Sequence, residues 1–227
     1  MAIPRNDTVE MATARANIYG LLADVFRGAP SEVFLSKLRE PDFLGALRDM
    51  DLSLDGVFER TSQAQLVEDL ALEFTRLFIG PGPHIAPNEA LHVEARSGES
   101  NAYWGEQTVA VKKFIEAAGL TIDDSFGGMP DHLSAEFEFM QRLLLKEAEA
   151  WASEKDELAT NILKIEKRFY DEHLSQWVGN FCVKVIDATE HPFYDQFAEV
   201  TKGFVDFEKD TLQDLIDETE GGNRLSA

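Results

Sequence analysis

The chain has 227 residues, 44% of them hydrophobic, which is enough to bury a full core as one large domain or two small ones. Its formal net charge of −21 counts against binding a phosphate backbone and favours solubility or a cationic partner such as a basic peptide. Eight Pro and fifteen Gly argue against a fibrous chain, and a single cysteine, Cys182, rules out an internal disulfide framework.

Apolar spacing is helical nearly throughout. Asp7 and Glu10 resemble a capping box ahead of a helix with Ile18, Leu21, Leu22, Val25 and Phe26 inward. Ser31 reads as the N-cap of the next helix, which turns Phe34, Leu35 and Leu38 to the core. Ser62 with Gln65 caps a third, where Leu66, Leu70, Phe74, Leu77 and Phe78 form one stripe that Gly80-Pro81 stops. Residues 80–100 then form a long loop, a length that is usually functional inside a compact domain. A helix resumes over about 101–118, with Trp104, Val111, Phe114 and Ile115 apolar and Gly119 as its C-terminal cap. The segment from about 119 to 130, with Gly127-Gly128, is the candidate hinge between an N-terminal part (about 7–118) and a C-terminal part (about 131–209). Two long helices follow, over about 131–151 and 155–188, the second including Leu158, Ile162, Ile165, Phe169, Trp177, Phe181 and Val185 in its apolar face. A final helix carries Phe193, Phe197, Val200 and Phe204, and the acidic tail 210–227 is expected to fray. The reading is an all-α bundle forming a single domain. Cys182, in WVGNFCVKVI, is expected to be a buried, inert thiol. Neither an export signal nor a membrane span is expected, because Met1 to Ala16 lacks an apolar region and no long apolar run occurs.

The most informative stretch is Glu73 to Glu136. An aromatic helix enters a Gly/Pro loop that ends on acidic residues, and a later helix opens with Pro130-Asp131-His132 and places Glu136 one turn on. Asp131 suits an N-cap, a role that gives His132 nothing to do, and a neutral imidazole there can donate to and accept from a bound peptide. Cap and recognition site stand side by side on these residues alone. A metal is a second reading: His132 and Glu136 share a helix face, with His84, Glu89, His92 and Glu94 nearby in the loop. No two Glu-x-x-His segments of the di-iron type and no HExxH complete such a set. There is no GxSxG elbow and no Walker motif for an enzyme. Trp104, Tyr103 and Phe126 are candidates to line a groove for an apolar peptide, although aromatic residues at helical spacing equally fill cores.

Glu73-Phe-Thr-Arg-Leu-Phe78 followed by Gly80-Pro81, the Pro87-Asn88-Glu89 loop, and Pro130-Asp131-His132-Leu133 with Glu136, Phe139 and Met140 resemble the TorD/DmsD/NarJ family of molybdoenzyme chaperones. Phe169-Tyr170 to His173-Leu174 and Trp177 resemble that family's penultimate helix. The resemblance implies a cytoplasmic, non-enzymatic chaperone for anaerobic respiration. Its partner would be an apo-molybdoenzyme, bound through an N-terminal, commonly twin-arginine, leader until the cofactor is inserted. It implies peptide binding by Pro130, Asp131, His132 and Glu136, with Pro87, Glu89 and Trp104 beside them. It implies no resident cofactor, transient contact with molybdopterin or guanine nucleotide at most, no nucleic acid, and a monomer or domain-swapped dimer. The loop departs from the family pattern, reading Pro-Asn-Glu-Ala where an aromatic commonly follows the proline and a small polar residue the acid. The competing reading is a metal-dependent helical-bundle enzyme using His132 and Glu136.

Overall fold

A computed structural model describes residues 5–49, 54–93, 104–122 and 127–224. Glu94, Asn101, Tyr103, Phe126 and the middle of the expected hinge lie outside these residues. Every named element among them is helical, and the one extended contact is an isolated antiparallel bridge between Asn88 and His132. The fold is an all-α bundle.

Helix α1 (Arg5–Arg27) buries Ala12, Ala16, Tyr19, Ala23 and Phe26 along one stripe and packs lengthwise on α7 (Leu133–Ala152). It is already helical at Arg5, so Asp7 lies in the first turn, where a negative charge suits the helix dipole, and no capping box forms. At Gly20 the two helices meet so closely that a Cβ would lie 2.1 Å from Nε2 of Gln141. Ser31 Oγ caps α2 (Glu32–Leu38) by accepting the Phe34 amide at 3.2 Å. Two short helices, α3 (Pro41–Asp49) and α4 (Asp55–Arg60), fill a region the apolar spacing left unassigned.

Ser62 Oγ accepts the Gln65 amide at 3.3 Å at the start of α5 (Gln63–Phe74), while the Gln65 side chain turns away to Asp69. This helix widens into a π turn (Thr75–Ile79) and ends at Gly80, whose φ of 78° is left-handed and whose amide donates to Thr75 O at 2.7 Å. A Cβ on Gly80 would also press on His84 Nδ1 at 2.8 Å, so this stop needs glycine.

Helix α6 (Glu106–Ala117) is shorter than expected, because Trp104 itself has a φ of 61° and breaks the helical path before Gly105. At its other end Gly119, with a φ of 71°, is the expected left-handed stop. The rod expected over 155–188 comprises α8 (Asp156–Phe169), a π turn (Tyr170–Leu174) and α9 (Ser175–Ala188). Leu158 is 49% exposed, since α8 turns Ala159, Ile162, Leu163 and Glu166 inward instead. The last helix, α10 (Pro192–Arg224), runs through the acidic segment expected to fray, because Glu208, Leu212 and Leu215 give it a buried face. Cys182 is buried, and burial pushes its thiol above the usual range.

One ionic knot crosses the bundle. Arg15 of α1 forks onto Glu208 of α10 at 2.8 Å through both Nε and Nη2, and Nη2 reaches Glu166 of α8 at 3.2 Å. Glu147 of α7 stands 3.7 Å away, and Tyr19 donates to Glu208 at 3.1 Å. All four charged groups are buried. Burial, followed by the negative charge of the neighbouring Glu147, drives Glu166 well above the ordinary carboxylate range. No helix among the described residues is long and apolar enough to cross a membrane.

Candidate peptide-binding groove

Two chain segments more than forty residues apart are stitched together by backbone at the start of α7. The Glu89 amide donates to Asp131 O at 2.9 Å, and the Leu133 amide donates to Pro87 O at 2.8 Å. Asp131 Oδ2 accepts the Ala90 amide at 3.0 Å. Pro87 and Pro130 are buried at the two ends of this strap, where a missing N–H leaves no donor to satisfy. The loop reaches the helix as one strand of a two-residue ladder, with Asn88 opposite His132.

The cap of α7 is His132 and not Asp131. His132 is extended (φ −78°, ψ 137°), and its Nδ1 accepts the Ser134 amide at 3.2 Å. Asp131 is committed to the loop, so the two neighbours exchange the roles their residue types suggested. Burial, then the positive charge of Arg27, lowers the His132 imidazole to about 4. His132 caps the helix, and its carbonyl accepts the Glu136 amide at 3.0 Å.

Glu136 points inward and is fully buried, with Oε2 accepting from Trp177 Nε1 at 3.2 Å. Burial, then the charges of Glu89 and Asp131, pushes its carboxyl well above the usual range, which favours its protonated form. Its Oε1 and Asp131 Oδ1 are buried without a hydrogen-bond partner. Glu89 is also buried, and its Oε2 lies 2.8 Å from Nδ1 of His173. His173 belongs to the π turn. Phe169, His173 and Trp177 follow one another at four-residue steps, so this face was visible in the sequence, although only the two aromatics were read as part of it. Among the described residues no group of three or more His, Cys, Asp or Glu side chains is placed to hold a metal ion.

Glu89 and His173 close the inner end of a cavity of about 1070 Å³ between α6 and the α8–π-turn rod. Val109, Phe114 and Ile165 supply apolar lining, and Trp104 stands over it, 63% exposed. Charged side chains line its rim, Glu106, Asp171 and Glu172 beside Lys113 and Arg168, with Glu172 paired to Arg168 and Asp171 to Lys167. Two of the expected peptide-binding residues, Glu89 and Trp104, therefore line one groove. Pro87, Pro130, Asp131, His132 and Glu136 are not part of its lining. They hold the loop and the helix that carry it.

The profile of a family described as the nitrate reductase delta subunit matches residues 40–183, more than half of the chain. The chain belongs to this family. Relatives carry related names. The chaperone protein TorD of Vibrio cholerae serotype O1 (strain M66-2) is 22% identical over 211 residues, covering 90% of this chain and 94% of its own. The chaperone protein TorD of Shewanella pealeana is 23% identical over 213 residues, covering 88% and 90%. The perchlorate reductase assembly chaperone protein of Dechloromonas aromatica is 25% identical, again covering 88% and 90%. These family members are named as chaperones and assembly proteins, and this chain stands with them as a non-enzyme. The matched span contains the loop, α6, the strap, the capped α7 and the π turn, which together make up the groove and its support.

Proposed function

We propose that the protein is a cytoplasmic maturation chaperone that binds the N-terminal leader of a molybdopterin-dependent oxidoreductase and holds the apoenzyme until its cofactor is inserted. The observation that carries this reading is the groove: an apolar floor, a rim on which carboxylates outnumber cations, and a buried Glu89–His173 pair at its inner end. A leader of the twin-arginine type joins a basic segment to an apolar one, and each half finds its complement there. Family membership and the names of the relatives support the chaperone role.

Titration calorimetry against twin-arginine leaders of molybdoenzymes tests this reading, with each leader paired with a Lys-Lys variant and a scrambled control. Binding of one leader in the micromolar range or tighter, lost on scrambling, is the expected result. Equal binding of scrambled and native sequences would reduce the groove to a nonspecific acidic surface and end the proposal.

A further inference from the structure

The groove already holds a guanidinium of its own. Arg168, on α8, reaches across to α6 and places its guanidinium carbon 5.0 Å from the ring centroid of Phe114. Its Nε donates to Glu172 Oε1 at 2.7 Å, and Nη2 approaches Oε2 at 3.5 Å. An aromatic face and a carboxylate fork are the two halves of an arginine site: the ring attracts the flat cation, and the two oxygens match its paired donors. The ring is held from its other sides, edge-on to Phe139 and Phe169 and against His173, so its orientation is fixed before any ligand arrives.

Arg168 is loosely committed to this seat. Its side chain is 67% exposed and that of Glu172 is 44% exposed, and a solvated ion pair of this kind contributes little to stability. The seat can be vacated while Arg168 moves into water.

We propose that Phe114 and Glu172 form a subsite for an arginine side chain of the bound leader, which Arg168 fills as an internal stand-in while the groove is empty. This rests on the groove being the leader site. Lysine fits the subsite poorly, because a compact ammonium neither forks onto a carboxylate nor stacks flat on a ring. The stand-in weakens binding of the correct ligand and also keeps the ring face covered between clients.

The test titrates the full chain with a peptide carrying Arg-Arg before an apolar Leu/Ala stretch, and with its Lys-Lys counterpart. Arg168→Gln, which keeps the stem length, is expected to tighten Arg-Arg binding about threefold or more, the scale of one freed cation–π contact and one surface ion pair. It should change Lys-Lys binding much less. Lys113→Gln removes an equal charge from the same groove and is expected to leave the ratio of the two affinities unchanged. Glu172→Gln, a surface change, should bring that ratio close to one, and Phe114→Leu should act in the same direction. Equal tightening of both peptides by Arg168→Gln, or an unchanged ratio in Glu172→Gln, overturns the subsite and leaves the groove standing. Failure of wild type and variants alike to bind either peptide overturns both.

Discussion

The Nδ1 of His132 accepts an amide hydrogen, and only a neutral imidazole can do this. Burial holds the ring at about 4 in the folded protein against an ordinary value of 6.5. The unfolded chain therefore binds more protons between these values, and stability rises with pH through that window. Relative to acid conditions, the contribution is complete above about 6.5 and lost as pH falls towards 4, with an upper size of about 3 kcal/mol. Urea midpoints measured between pH 4 and 7 should show this slope. His132→Asn keeps a good N-cap without the titration, so the slope should flatten. An undiminished slope would place the titrating group elsewhere. Asp131 gives a second expectation. Asp131→Ala removes the acceptor of the Ala90 amide and should lower leader affinity about tenfold by loosening the loop that carries Glu89, with helical circular dichroism unchanged. Retained affinity would separate the strap from the groove. What the sequence revealed at this scale was local: Ser31, Ser62 and Gly119 cap as their residue types and neighbours require. The exchange of roles between Asp131 and His132 was hidden, because it depends on a loop more than forty residues away.

The π turn between α8 and α9 is the element that makes the groove possible. One wide turn keeps Phe169, His173 and Trp177 buried in sequence while the rod stays continuous, and it delivers a histidine to a buried glutamate. Helical periodicity located the rod over nearly its full length, because apolar spacing is insensitive to one extra residue in a turn. The turn itself leaves no mark in that spacing. His173→Leu should cost about 2 kcal/mol by removing the partner of the buried Glu89 Oε2. In a Glu89→Gln background the cost should shrink, since no charge is then stranded. Chemical denaturation of the four proteins in this cycle measures the coupling, and equal costs in both backgrounds would show that the contact contributes no pairing energy.

Across the whole molecule, the all-α class was legible because it repeats in almost every segment, whereas the knot around Arg15 was not. Arg15 lies in an ordinary amphipathic helix, and its partners Glu147, Glu166 and Glu208 are spread over the C-terminal half of the chain. No local pattern marks it as buried. Removing it strands three carboxyl groups in the core, so Arg15→Met should destabilise the fold by about 3–5 kcal/mol, read from urea unfolding. Changing all four charged residues to apolar ones of matched volume should recover much of that loss. If the single variant is as stable as wild type, the knot is not holding α1 to α7, α8 and α10.

The same knot sets an order of events during synthesis. Arg15 is synthesised before its best acceptor, Glu208, which lies 193 residues later. Until that residue emerges, the first helix has a cation on its inward face and no carboxylate from α10 to take it. Glu147 and Glu166 can meet Arg15 before then, so the knot assembles in stages and its full set of partners is present only once Glu208 has been made. For a protein proposed to hold other chains in an unfinished state, its own first helix is tied down by a residue made 193 positions later.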